Sequence, residues 1–415
     1  MRIPEITVLK ALYGDAAEEG KARYESLAKH YQELYHDDKM EFFSAPGRTE
    51  IVGNHTDHNG GKILAASIDL DTIGAAYPNG TDTIVIVSEG YDKKVIVNTA
   101  ELEKVPKNCG TVSLVAGMAE AVKKKGFQVS GFNAYVSTKV ISAAGISSSA
   151  SFEMLICSMM NYFFNDEKMT CADYAKIGQY AENHFWDKAS GLMDQMACAV
   201  GGPIQLDFSD DVKYEKVDFD FARFGYDLVI VNTGKGHADL SREYSEIPEE
   251  MKAVAKCLGG KWLAECSYEQ LLEHYAEVEA TVQNDRAILR AIHYFEENAR
   301  VEAAAKAVAE DDGKKLLQIL DESGRSSWEL LQNCYPIANY KEQKIALALA
   351  LTSHYLKEIG DGCCRIHGGG FAGVIMSIIP KAHTNEYVEY IARFVGASNV
   401  YPMQIRAAGA IHVGA

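Results

Sequence analysis

Apolar residues recur every three to four positions over residues 15–35, with Tyr24, Leu27, Tyr31 and Leu34 on one face and charges opposite. That spacing predicts an amphipathic helix. Thr83–Ser88 and Lys94–Asn98 read as strands punctuated by Asn79-Gly80 and Glu89-Gly90. Residues 112–125 look helical, Gly131–Thr138 strand-like, and helices are expected over 149–164 and 170–187. A strand at Pro203–Phe208 leads into the charged stretch Ser209–Asp220, where a first domain, 1–220, is expected to end. The second, 221–415, opens with a strand at Tyr226–Asn232 and is mostly helical to residue 357, including an Ala-rich 301–310 and an amphipathic 314–332. Two strand runs, Gly373–Ile379 and Met403–Ala407, flank a helix near 385–395. Paired strands with helices grouped between them predict an α+β class rather than a doubly wound sheet. No repeat of solenoid or propeller period is visible.

Residues 45–61 break this periodicity, running Ala-Pro-Gly-Arg-Thr-Glu-Ile-Val-Gly-Asn-His-Thr-Asp-His-Asn-Gly-Gly. As a core strand the run would bury polar groups without partners, and it is too glycine-rich for a helix interior. The expectation is a tightly turned loop whose side chains converge on a small polyhydroxylated or anionic ligand. A solvated loop is the plain alternative. A second segment, Ala143-Ala144-Gly145-Ile146-Ser147-Ser148-Ser149-Ala150-Ser151, runs into an apolar helix. Its small residues allow close backbone approach, and the helix aims free N–H groups at the same place, which makes a phosphate cradle. A serine-rich N-cap reads equally well from these residues alone. A third cluster, His367-Gly368-Gly369-Gly370-Phe371-Ala372-Gly373, fits G-x-G-x-x-G, but the strand-like Val374–Ile379 comes next, where a dinucleotide site needs a helix. None of the Gly-Lys pairs is followed by Ser or Thr, so any use of ATP proceeds without a Walker loop.

Composition narrows the field. The 415 residues suffice for two domains, and 47% hydrophobic with 24% charged content is that of a globular protein. A net charge of -17 argues against nucleic acid or an anionic membrane as partner. The nine cysteines form no C-x-x-C pair, and Cys363 and Cys364 are adjacent, which suits reduced thiols. No apolar run approaches a membrane span, so a cytoplasmic location is expected. The oligomeric state is left open, a monomer included.

Taken in order, the three segments resemble those of the galactokinases, in the superfamily that also holds homoserine, mevalonate and phosphomevalonate kinases. The equivalents are Pro46-Gly47-Arg48 through Asn59, Gly145–Ala150 and Gly368–Gly373. Between them, Gly191-Leu192-Met193-Asp194-Gln195 is similar to the family's Gly-Ile-Met-Asp-Gln, Glu182 stands twelve residues before Asp194, and His237 with Tyr244 resembles a sugar-touching His…Tyr segment. The resemblance implies phosphorylation of the anomeric hydroxyl of a hexose by ATP with Mg²⁺, in a cleft between two α+β lobes. It assigns Asp194 and Arg48 to catalysis, and Asn54, His55, Asp57, His58, Gly191 and Tyr244 to the sugar. Gly145, Ser147, Ser148, Ser149 and Ala150 fall to the nucleotide phosphates, and Ser148 or Ser149 with Glu182 to the metal. The chemistry is consistent, because phosphoryl transfer needs positioning and charge neutralisation above all. A carboxylate beside a guanidinium also stays ionised at neutral pH.

The chain departs from the family pattern at several points. Asn54 stands for a glutamate that contacts the C6 hydroxyl, His58 for a tyrosine, and Thr49-Glu50 for Val-Asn. The lead into the phosphate loop is Ile141-Ser142-Ala143-Ala144-Gly145, and no arginine pair follows Tyr244. The first two changes open galacturonate or another C4-axial sugar as an alternative to galactose. A zinc hydrolase is a weaker rival, since Gly53 stands where an H-x-H-x-D-H signature needs its first histidine. A sugar sensor without turnover is the other, set against an intact Ser147-Ser148-Ser149-Ala150 run with Arg48 and Asp194 present.

Overall fold

In the computed structural model of the chain, residues 3–141, 146–186, 190–234 and 240–414 are described. Gly145 with the preceding 142–144, and His237, lie outside them.

Strands β1 (Glu41–Val52), β2 (Lys62–Pro78), β3 (Thr83–Ser88), β4 (Val95–Asn98), β5 (Phe132–Thr138), β6 (Pro203–Asp207) and β7 (Lys213–Lys216) belong to a first sheet. Strands β8 (Tyr226–Asn232), β9 (Cys363–His367), β10 (Val374–Pro380) and β11 (Val400–Met403) make a second, and β12 (Ile411–Val413) returns to the first. The first sheet has the order β12-β1-β2-β5-β3-β4, with β6 on the early half of β2 and β7 beyond it. Among these strands only β3 and β5 run parallel. The second sheet, β11-β8-β10-β9, is antiparallel. Helices Thr111–Lys124, Ser148–Phe164 and Cys171–Phe185 cover one face of the first sheet, burying Phe43, Leu114, Met118, Phe132 and Met154. Helices Ile6–Tyr13 and Ala17–Tyr35 cover part of the other, with Tyr24, Leu27 and Tyr31 on Phe42 and Ile73. Leu34, at the end of the predicted face, packs at the edge of that cluster. In the second lobe Leu349, Tyr387 and Ile391 pack on Val229, Ile366 and Ile375.

The sheets share a core in which Ile51, Leu64 and Ile68 meet Ile230, Leu320 and Met376. The site therefore rests on a continuous apolar floor. Mixed strand pairing and segregated helices make the class α+β.

Two expectations need correction. Residues 45–52 are not loop; they complete β1, and every residue from Phe42 to Val52 is buried. The polar groups do find partners, because cations and acceptors arrive from both lobes: Asp194 for Arg48, His367 for Thr49 and Arg365 for Glu50. Pro46 is tolerated because the β1–β2 register breaks between Pro46 and Arg48. The expected strand at Met403–Ala407 lies earlier, at Val400–Met403, and the chain then runs along β2, where Arg406 N–H donates to the Ser67 carbonyl at 3.0 Å. Within the charged stretch Ser209–Asp220, Lys213–Lys216 forms a fully exposed edge strand, a place where lysines discourage further pairing.

Candidate active site

Helix Ser148–Phe164 starts from Ser147, which sits in the left-handed region (φ 60°, ψ 61°) and makes no capping bond with its side chain. The side chain of the cap residue thus does not close the positive end of this 17-residue helix. Ser147 Oγ donates instead to Asp194 Oδ2. Asp194 stands in the first turn of helix Met193–Val200, and its Oδ1 accepts from both Nε and a terminal nitrogen of Arg48, each at 2.9 Å. The Arg48 side chain is buried, whereas that of Asp194 is 32% exposed, enough to meet a ligand. Burial alone would lower the Arg48 pKa, but Asp194 outweighs it and the net shift is upward, so the guanidinium is always charged. Close approach is enforced at Gly47, where a Cβ would stand 2.8 Å from the Ile146 carbonyl oxygen that accepts the Arg48 N–H.

Beside this group Ser149 Oγ donates to Glu182 Oε1 at 3.1 Å. Gln195 Nε2 donates to Glu182 Oε2 at 3.3 Å and to Glu153 at 3.1 Å. Ser148 is half-buried at the first helical position and Ala150 fully buried behind it. The Ser149 hydroxyl and the Glu182 carboxylate, within hydrogen-bond reach of each other, are the hard oxygen donors a divalent cation takes, whereas the helix N-terminus itself favours the phosphate anion.

The turn after β1 carries the remaining residues. Asp57 lies against Gly191, where a Cβ would come within 2.6 Å of Oδ2, and Gly191 leads directly into the helix that carries Asp194. His58 is 34% exposed beside it, with Nε2 3.8 Å from Asp57 Oδ1. His55 is buried and donates through Nε2 to the Gly369 carbonyl at 2.8 Å. Burial first, then His58, lower its pKa to about 4, so it is neutral near pH 7. Tyr244, on helix Ser241–Cys257, donates to the Gly370 carbonyl at 2.8 Å and meets Phe371 edge-on.

Asn54 does not reach the open side. It is 0% exposed, its amide nitrogen donates to Glu50 Oε1 (3.1 Å) and the Gly368 carbonyl (2.8 Å), and its oxygen accepts from Asn333 (2.9 Å) and Ser327 (3.4 Å). All four hydrogen-bonding capacities of the amide are used within the protein. The expected sugar contact at Asn54 is therefore replaced by a supporting role. The third glycine cluster gains one too, since its successive carbonyls at 368, 369 and 370 accept from Asn54, His55 and Tyr244.

Sequence reasoning missed the second-lobe residues that hold this turn: His293, Glu297, Asn333 and Arg365. Arg365 is buried, donates to the Ile51 carbonyl and pairs with Glu50 at 3.0 Å. Burial pushes the Glu50 pKa up while Arg365 pulls against it. His367 accepts at Nε2 from the Glu50 N–H at 3.2 Å, and burial, then Arg48 and Arg365, keep it neutral.

A galactokinase galactose-binding signature matches residues 29–78, and the GHMP kinase N-terminal domain matches residues 113–202. Galactokinase from Clostridium tetani is 29% identical over 362 residues, covering 86% of this chain and 88% of its own. The crystal structure of Lactococcus lactis galactokinase complexed with galactose superposes with a TM-score of 0.79 at 25% identity, over 93% of this chain and 98% of that one. A mevalonate kinase structure shares the fold at a TM-score of 0.62 and 14% identity, over 88% of this chain and 99% of the other. The chain thus carries a galactokinase galactose-binding signature and a GHMP kinase N-terminal domain, and over most of its length it is similar to galactokinases.

Proposed function

We propose that the protein transfers the γ-phosphoryl group of ATP to the anomeric C1 hydroxyl of galactose, giving galactose 1-phosphate and ADP. The observation that carries this reading is the Ser147–Asp194–Arg48 constellation at a helix N-terminus. Asp194 accepts or orients the C1 hydroxyl proton as the oxygen attacks phosphorus. Arg48 holds that carboxylate ionised and offers positive charge to the transferring group, where electrostatic stabilisation matters most. The loop Ser147–Ala150, with Gly145 before it, holds the phosphates. Ser148 or Ser149 with Glu182 would hold Mg²⁺, which neutralises phosphate charge. Asp57, His58 and Gly191 line the sugar side, and His55 and Tyr244 shape it against the glycine turn.

We divide the lobes near residue 220, with β12 assigned to the first. The nine free cysteines support a reducing location, and the cytoplasm is our assignment. Among the described residues no helix is long and apolar enough to cross a membrane.

ADP release with ATP and Mg²⁺ across galactose, galacturonate, glucose and 2-amino sugars tests the reading. Turnover of galactose above the others is expected. Preference for galacturonate would make His58 the residue of interest, and silence on every sugar would leave a sensor.

A further inference from the structure

We infer that Glu297 is a positioning residue for the sugar, acting through the turn Gly53–Asp57 without touching ligand. Its carboxylate is fully buried on the second-lobe helix Asp285–Ala309, yet two of its bonds come from backbone N–H groups of the first lobe. Oε1 accepts the Gly53 N–H at 3.0 Å, the Asn54 N–H at 3.2 Å and the Ser323 hydroxyl at 2.6 Å. Oε2 accepts from Arg300 Nε at 2.7 Å. One helical turn earlier, His293 Nε2 donates to the Asn54 carbonyl at 2.9 Å, with its Nδ1 accepting from Ser326 at 2.8 Å. The peptide groups on both sides of Asn54 are thus fixed from the opposite lobe.

That restraint governs the next residues of the turn. His55 sits at φ 61°. A non-glycine residue held in that region is strained and persists only where its surroundings over-determine it. The same turn carries Asp57 to Gly191. A small rotation at Gly53–Asn54 would swing both residues away from the cleft. Burial would raise the Glu297 pKa, but the Arg300 and Arg365 guanidiniums and the Ser323 hydrogen bond work against it and the net shift is downward, so the acceptor is charged at neutral pH. A charged acceptor for two N–H groups is the stronger kind of hydrogen bond.

The inference rests on the proposed sugar kinase activity, and its test separates the two. Steady-state kinetics of Glu297→Gln and Glu297→Asp are to be run against galactose and ATP, alongside hydrogen exchange of the peptide spanning 53–57. Glu297→Gln is expected to raise the galactose KM by about tenfold or more while kcat and the ATP KM stay within about threefold. Glu297→Asp should fall between Glu297→Gln and wild type. Exchange at 53–57 should rise about tenfold in Glu297→Gln whether or not any sugar is turned over. If that variant does not fold, Ser323→Ala, which removes a single bond to the carboxylate, should raise the galactose KM about twofold to threefold with the ATP KM unchanged. Galactose and ATP KM values rising together, an unchanged galactose KM, or unchanged exchange at 53–57 would overturn the role of Glu297. A wild type silent on every sugar but with altered exchange in Glu297→Gln would overturn the kinase reading and leave the positioning role standing.

Discussion

At the scale of single residues, the two oxygens of Asp194 divide their work. Arg48 occupies Oδ1 and Ser147 occupies Oδ2, so the hydroxyl of Ser147 marks where an incoming C1 hydroxyl can share the carboxylate. Asp194→Asn keeps the shape and removes the base. We expect kcat to fall about 10²–10⁴-fold, the usual worth of general base catalysis, with galactose binding by calorimetry within a few-fold of wild type. Retained turnover would remove Asp194 from the chemistry. Asn54 gives a second prediction, on stability rather than rate. Asn54→Glu replaces the donating amide with a carboxylate facing Glu50 Oε1, now 3.1 Å away, and the Gly368 carbonyl. Unpaired buried charge of this kind costs about 3–5 kcal/mol, which should appear as a lowered urea midpoint. A midpoint equal to wild type would show that residue 54 turns outward to the cleft.

Among the elements, helix Asp285–Ala309 and the C-terminal tail hold more than their sequences announce. Arg290, His293, Glu297 and Arg300 have helical spacing, and a polar stripe on an Ala-rich helix reads naturally as a solvated face. Here Arg290, His293 and Glu297 are fully buried against the sugar turn and its supports. Periodicity reports that a helix has two faces but not what lies across from each. The same limit hid β1, whose polar residues looked unburiable until partners came from over 140 positions away. It also hid the three-residue β12, too short to show any period. Long elements such as Ala17–Tyr35, β3, β5 and Ser148–Phe164 were legible, because one repeated face decides them locally. The site was legible through motifs where the residue types are chemically unusual together. The tail is anchored by Arg406, which shares the buried Asp71 with Arg23, Tyr13 and Ser44 at 2.6–2.9 Å. Arg406→Ala should cost about 3–5 kcal/mol in urea unfolding, as it removes one of the two guanidiniums that compensate the buried Asp71 together with the bonds that anchor the tail. A loss below about 1 kcal/mol would show that Arg23 alone suffices.

For the whole molecule, the shared core between the sheets and the bonds from Glu297, His293 and Arg365 to β1 and its turn tie sugar site and lobe packing together. Buried neutral histidines line this junction: His55, His293 and His367 all have lowered pKa values, chiefly through burial. The unfolded chain binds protons at these sites first, so their contribution is full above about pH 6.5 and is lost as pH falls toward about 4 for His55. Each such histidine adds a slope of up to about 1.4 kcal/mol per pH unit in that window. The urea midpoint should therefore drop between pH 7 and pH 5, and His293→Gln should flatten the drop; a midpoint level across this range would contradict the neutral burial of these rings. Whether the cleft sends phosphate to an anomeric oxygen is decided by phosphorus NMR of the product made from galactose, ATP and Mg²⁺. A phosphomonoester doublet, split by the single proton on C1, is expected, forming at least about a hundredfold more slowly with Asp194→Asn. A triplet from a C6 ester, or inorganic phosphate alone, would contradict it.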